Sequence, residues 1–112
     1  MSDKKYDLAR LSTIFTAALA SDCLDHMDLR NQVLKSDIEM ISGDGVMMGY
    51  AFPVAVEAVF AAPDVPYVGL LKALDAVGRD QVYVTPSNRN NGGGHPAAFW
   101  GELLSTACKH KG

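Results

Sequence analysis

Residues 70–85 read LLKALDAVGRDQVYVT, and this stretch decides the fold class. Its first part repeats apolar residues at helical spacing, which predicts an amphipathic helix that ends near Gly78. The repeating residues are Leu70, Leu71, Leu74 and Val77. The second part, residues 81–85, is rich in β-branched residues and predicts a strand. A helix that leads directly into a strand is typical of an α/β protein.

The residues before this stretch predict one more helix and two strands. Residues 12–28 suit a helix capped by Ser12 or Thr13, with an apolar residue at every fourth position. The apolar residues are Phe15, Leu19, Cys23 and Met27. Apolar and polar residues alternate over residues 38–41, which predicts a short strand. SGDG at residues 42–45 is typical of a turn. Residues 46–59 form a long β-branched run, which predicts a second strand. Gly49 and Pro53 inside that run indicate a bulge or an edge position.

The residues after the stretch predict a last helix over residues 97–111, with Pro96 in its first turn. We expect the start of this helix to face a cleft, with Trp100 and Leu103 largely buried in a stripe that Leu104 and Ala107 complete. The predicted order is α, β, β, α, β, α in one domain over residues 1–112, with residues 1–10 as an N-terminal extension. Because a helix that ends in Gly usually leads to another strand in an α/β protein, we expect this domain to be incomplete.

Composition narrows the class of protein. The chain has 112 residues, of which 48% are hydrophobic and 21% charged, the balance of a soluble globular domain. Its net charge of −3 gives no basic face for nucleic acid. No secretory signal and no apolar run long enough to span a membrane is visible, so we expect a cytoplasmic protein without nucleic-acid or membrane partners.

Two glycine-rich stretches are candidates for ligand binding. A dinucleotide or methyl-donor loop follows a strand and opens a helix, whereas a β-branched run follows residues 42–45, which favours a hairpin turn. NNGGG at residues 90–94 does precede a predicted helix, whose free N–H groups suit a carboxylate or phosphate. Composition alone favours a mobile loop there and leaves anion binding open.

Side chains that bind metals or act as nucleophiles give no strong signature. Asp22 and Asp25 share a helix face and could bind a cation, although two solvated carboxylates are the commoner case. A Cys/His nucleophile pair is conceivable, but a free cysteine usually behaves as a small core hydrophobe. The residues concerned are Cys23, Cys108, His26, His95 and His110. We predict no metal ligand in this chain.

Four segments, in this order, resemble the RraA-like family, which is named for a regulator of ribonuclease E activity. LST at residues 11–13 with SDCLD at residues 21–25 resembles the family's opening, and VMMGYAFPV at residues 46–54 resembles its "mvGrAvTv" strand. Residues 71–84 resemble its "ald…GdVlV" helix and strand. AAFWGELLSTA at residues 97–107 resembles its "W-G-E-L" helix. Tyr50 and Thr85 depart from the common Arg and Asp of the family.

The resemblance implies a fold and a binding site. The fold would be a β/β/α swivelling-type domain, truncated at its C-terminus and assembled as a homotrimer or homohexamer in the intact protein. The backbone N–H groups of Gly101, Glu102, Leu103 and Leu104 would bind the carboxylate and carbonyl of a small 2-oxo acid. For Gly101 this role competes with tight helix packing. A divalent cation, magnesium or alternatively manganese, would polarise the 2-oxo group.

The resemblance also implies an activity. Family enzymes are lyases, pyruvate aldolases and oxaloacetate decarboxylases, including those that cleave 4-hydroxy-4-methyl-2-oxoglutarate through a pyruvate enolate. The family's catalytic Arg and metal-binding Asp follow the last helix and lie beyond Gly112, so we expect the 112-residue chain alone to be inactive. The alternative is a non-catalytic regulator that binds a ribonuclease or another protein. A methyltransferase is disfavoured, because no glycine motif for the methyl donor is visible.

Overall fold

A computed structural model describes residues 6–36, 38–56, 61–85 and 100–112. These residues form the elements α1 (Leu8–Ser12), α2 (Ala17–His26), β1 (Tyr50–Pro53), α3 (Val68–Ala76), β2 (Gln81–Val84) and α4 (Glu102–Lys111). Helices combined with a small sheet are compatible with the predicted α/β class. The chain divides into two compact units, residues 1–48 and residues 49–112.

The first unit contains two helices where the sequence predicts one over residues 12–28. Ser12 and Thr13 do not cap the second helix, because their hydroxyl groups donate to the carbonyls of Ala9 (2.8 Å) and Arg10 (2.7 Å) and so end α1. Thr16 is extended, and its Oγ1 accepts the N–H of Leu19 at 3.2 Å. The second helix therefore begins at Ala17, and residues 8–10 of the predicted extension are helical.

The prediction of a strand at residues 38–41 is wrong. These residues have no regular secondary structure, and Ile41 is 98% exposed. The SGDG turn chemistry is confirmed locally, since Gly43 and Gly45 have φ of +90° and +81°. The predicted hairpin is also wrong, because the strand that follows pairs elsewhere. No side chain is buried among the described residues of the first unit.

The second unit contains a β-α-β arrangement, in which β1 and β2 pair in parallel and α3 lies between them in the chain. In the register, Tyr50 lies opposite Gln81 and Pro53 opposite Val84. Parallel strands need a long crossover connection, which α3 and its flanking loops supply. The first of these strands is shorter than the predicted run of residues 46–59, of which residues 57–60 lie outside the described ranges.

The core of the second unit joins the two helices to the sheet. Leu74 and Val77, at the end of α3, and Leu104 of α4 are buried together. Partly buried residues pack against them, namely Phe52, Leu70, Ala107 and Cys108. The helix and the strand predicted from residues 70–85 are thus confirmed, but Leu71, which the predicted apolar face includes, is 52% exposed. Gly78 does not adopt a left-handed cap; its N–H instead binds the side-chain oxygen of Gln81 at 2.7 Å.

The last helix begins later than predicted, at Glu102 instead of residue 97. Trp100 precedes the helix and is 40% exposed, and Leu103 is 76% exposed, so the prediction that both are largely buried is wrong. The inward stripe contains Leu104, Ala107 and Cys108, which follow the i, i+3, i+4 spacing from Leu104. Leu103 lies one residue away and faces outward. Residues 97–99 of the predicted helix lie outside the described ranges.

In the described part of the chain, no helix has the length and apolar character to cross a bilayer.

Lys111 ties the end of α4 to the end of α3. Its Nζ donates to the carbonyl oxygens of Leu74 (2.6 Å), Asp75 (2.7 Å) and Val77 (3.2 Å). The last carbonyls of a helix lack partners within the helix and carry its negative dipole end, so an ammonium group there is favoured twice. Lys111 therefore stabilises the contact between α3 and α4.

Replacing Lys111 with Met is expected to lower the free energy of unfolding by about 1–2 kcal/mol, because hydrogen bonds from a charged donor are lost while the aliphatic stem is kept. Urea unfolding followed by circular dichroism measures the change. Lys109→Met is the matched control, since Lys109 is exposed on the same helix turn. Equal losses for the two variants would contradict the role of the Lys111 contacts.

Candidate functional site at the start of α4

The start of α4 presents backbone N–H groups without helical acceptors. Gly101 is the N-cap residue, with extended φ and ψ of −162° and −176°, and it makes no side-chain capping bond. The first helical bond runs from the N–H of Ser105 to the carbonyl of Gly101, at 3.0 Å. The N–H groups of Glu102, Leu103 and Leu104 therefore precede the helical hydrogen-bond ladder and carry the positive end of the helix dipole. This arrangement can receive a carboxylate or another anion.

The side chains of the predicted binding residues point in different directions. Glu102 and Leu103 are exposed, whereas Leu104 is buried in the core of the second unit. What these residues share with Gly101 is the backbone at the helix start. A ligand held there would be recognised mainly by main-chain groups. The buried side chain of Leu104 packs the helix against the core.

Among the described residues, no atom lies within 4 Å of a Cβ atom built on Gly101. The extended φ of Gly101 is one that any residue adopts. Within the described residues, tight helix packing therefore gives no reason for glycine at this position. Open space beside free N–H groups would admit a ligand close to the backbone.

Trp100 and Ser105 bracket this backbone, a contact that the sequence did not predict. The indole Nε1 of Trp100 donates to Ser105 Oγ at 2.8 Å, and that hydroxyl donates to the carbonyl of Gly101 at 3.1 Å. The indole also packs on the ring of Tyr83 in β2, with centroids 5.0 Å apart. A serine four residues after the N-cap, with tryptophan just before the cap, is the signal that could have revealed it.

The other candidate residues do not form a second site in the described ranges. Asp25 Oδ2 lies 3.8 Å from Arg30 Nη1. Among the described residues, no three His, Cys, Asp or Glu side chains lie close enough together to bind a metal ion. Cys108 packs against the core as expected, but Cys23 is exposed, against the expectation for a core hydrophobe. His26 ends α2 and His110 lies in α4. His95 and the glycine-rich residues 90–94 lie outside the described ranges.

Thr85 stands out in the sequence only as a departure from the family pattern. It follows β2 directly, and its Oγ1 is buried without a hydrogen-bond partner among the described residues. Buried hydroxyl groups are normally satisfied, so this atom is unusual at the carboxyl end of the strand.

Comparison with known proteins decides the family. A family model for RraA-like proteins, described as Aldolase/RraA, matches residues 16–112. The chain belongs to the RraA-like family. No curated protein and no solved structure significantly matches the chain. The RraA-like match takes in α2 and the whole second unit, and so includes the start of α4.

Proposed function

We propose that the protein acts as a lyase of the pyruvate aldolase or oxaloacetate decarboxylase type. Its substrate would be a 4-hydroxy-2-oxo acid, cleaved through a pyruvate enolate. The observation that carries the proposal is the set of N–H groups that precede the helical hydrogen-bond ladder at the start of α4, in a chain of the RraA-like family. The resemblance of residues 97–107 to the family's "W-G-E-L" helix supports the same position.

The backbone of Gly101 to Leu104 would bind the pyruvate part of the substrate. Its carboxylate is negative throughout the reaction, and its 2-oxo group gains negative charge when the C3–C4 bond breaks and the electron pair enters the enolate. N–H dipoles fixed before the reaction stabilise charge where it develops, as in an oxyanion hole. In the aldol cleavage the 4-hydroxyl group loses its proton as C4 becomes the carbonyl of the second product, whereas oxaloacetate releases its C4 carboxylate as carbon dioxide. Protonation of the enolate at C3 then gives pyruvate in both cases.

A divalent cation, magnesium or manganese, is part of the proposal through the family resemblance alone. The described residues by themselves do not fit a metal centre, because no cluster of ligating side chains occurs among them. We therefore assign no step to a metal. Activity that chelator abolishes and magnesium restores is the expected behaviour.

A regulatory function is the second candidate, and one observation favours it. The described part of the first unit exposes large apolar side chains, among them Ile14, Met27, Leu34 and Ile41. Large apolar side chains exposed in this way would suit contact with another protein. A homotrimer or homohexamer would use such surface, and so would a ribonuclease partner. Light scattering tests the first, and inhibition of a purified ribonuclease the second.

Replacing Gly101 with Val in the intact protein is the direct test of the binding site. The branched side chain would occupy the open space beside the N–H groups, and we expect the KM for oxaloacetate to rise by about tenfold or more, the value of a hydrogen bond to a charged group. Because extended φ suits Val, the fold should persist. Pyruvate release is followed with a coupled dehydrogenase, and the rate with metal alone is subtracted.

Gly69→Val in α3 provides a comparison at another glycine with open surroundings. It should leave the KM unchanged. A Gly101→Val variant of the intact protein with wild-type KM and kcat would exclude the start of α4 as the binding site. An intact wild-type protein without turnover above the metal background would remove the lyase proposal itself.

A further inference from the structure

We infer that Trp100 and Ser105 are positioning residues, which hold the N–H groups at the start of α4 in the orientation that the ligand requires. This inference rests on the proposed function, since it concerns the same site. Neither side chain needs to touch the ligand. Both act through the carbonyl of Gly101.

The restraint acts on the peptide plane between Gly101 and Glu102. In a trans peptide the C=O and N–H groups point in opposite directions, so an orientation imposed on one fixes the other. The Gly101 carbonyl accepts the N–H of Ser105 at 3.0 Å and the Oγ of Ser105 at 3.1 Å. With its carbonyl held toward the helix by two donors, this plane directs the Glu102 N–H away from the helix.

Glycine at the N-cap makes this restraint necessary. Gly101 lacks both the side chain that usually caps a helix and the Cβ that limits backbone rotation, and so the plane beside it is intrinsically loose. A hydroxyl at residue 105 restrains the plane without filling the space that a ligand needs. A side chain on residue 101 would restrain it by occupying that space.

Trp100 in turn orients the hydroxyl of Ser105. By donating Nε1–H to Oγ at 2.8 Å, the indole occupies a lone pair and leaves the hydroxyl proton for the Gly101 carbonyl. The indole is held by Tyr83, and the Tyr83 ring lies 6.3 Å from that of Phe52, its register partner in β1. This row of three rings connects the helix start to the sheet, which makes the restraint rigid.

The test measures pyruvate binding by titration calorimetry in the presence of magnesium chloride. Ser105→Ala removes both side-chain bonds, and Trp100→Phe keeps an aromatic ring for Tyr83 but removes the N–H donor. We expect each variant to raise the Kd for pyruvate by about three- to tenfold, the worth of one neutral hydrogen bond. Ser105→Thr retains the hydroxyl and should restore wild-type binding. Thr106→Ala, on the exposed side of the same turn, should change nothing.

The outcomes separate the inference from the proposed function. Wild-type binding that Ser105→Ala and Trp100→Phe leave unchanged overturns the positioning role alone. An intact wild-type protein that neither binds pyruvate nor turns over oxaloacetate overturns the proposed function, and the inference with it. If circular dichroism shows that Ser105→Ala does not fold, the Trp100→Phe variant provides the test. An unchanged Kd for pyruvate in Trp100→Phe then counts against the inference. Weaker binding by a folded variant, with rescue by Ser105→Thr, supports it, since a merely structural role would alter stability without changing the Kd of the folded protein.

Discussion

Replacing Leu104 with Ala is expected to lower the free energy of unfolding of the second unit by about 3 kcal/mol, within the usual range for a buried leucine. Leu104 is 7% exposed and shares the small core with Leu74 and Val77. Truncation removes apolar contacts from both helices at once, and a core with so few buried residues has little material to refill the cavity. We expect a correspondingly lower urea midpoint with an unchanged slope.

Leu103→Ala is the matched control, because Leu103 is the preceding residue of the same helix and is 76% exposed. Truncation of this side chain should lower the free energy of unfolding by less than about 0.5 kcal/mol, as for other surface positions. The only tryptophan of the chain, Trp100, lies in the second unit beside α4, so its fluorescence reports the unfolding of that unit. Similar losses for Leu103→Ala and Leu104→Ala would show that α4 packs with a different face.

The orientation of α4 illustrates where the sequence is ambiguous. Trp100, Leu103, Leu104 and Ala107 form a plausible stripe if the helix begins near residue 97. When Glu102 is instead the first helical residue, Trp100 leaves the stripe and Cys108 joins it. Two adjacent leucines satisfy either pattern, so spacing alone did not identify which one is buried. The neighbouring α3 was predictable because Leu70, Leu74 and Val77 define one face.

Strand pairing was predicted less well than strand position. The SGDG sequence has the chemistry of a hairpin turn, and its glycines do adopt positive φ. Pairing, however, depends on which strand is available, and β2 offers β1 a parallel partner after the α3 crossover. Local turn propensity contains no information on that long-range choice. The same limit applies to α2, whose start was obscured by several hydroxyl residues that could each cap a helix.

The position of the candidate site was predictable from the sequence, but the hydrogen bonds that restrain its backbone were not. Free N–H groups follow from any helix start, and the resemblance to the RraA-like family directed attention to Gly101. The contribution of Ser105 depends on a side chain one helical turn away that meets both an indole and a carbonyl. Such a three-way contact is set by rotamers and by the packing of Trp100 on Tyr83, which the order of residues does not specify.

Gly49 is the position where a single methyl group should do the most harm outside the core. A Cβ atom there would lie 2.7 Å from Val82 Cγ2 and 2.9 Å from the carbonyl oxygen of Asp80. Both distances are well inside van der Waals contact, and the second obstacle is backbone. The same Asp80 carbonyl accepts the N–H of Tyr50 at 2.8 Å, the bond that begins the parallel pairing.

Gly49→Ala is therefore expected to lower the free energy of unfolding by about 2–3 kcal/mol, the cost of overpacking where the backbone must shift. The sequence interpretation of Gly49 as a bulge or an edge stays a prediction, and its close approach to Asp80 and Val82 is a further reason for glycine there. Gly69→Ala is the matched control: Gly69 lies inside α3, a Cβ atom on it would meet no neighbour within 4 Å, and alanine there should stabilise the helix by about 0.5–1 kcal/mol. Urea unfolding followed by Trp100 fluorescence compares the two. Opposite signs are expected, and a Gly49→Ala protein as stable as wild type would mean that β1 and β2 do not approach each other at this residue.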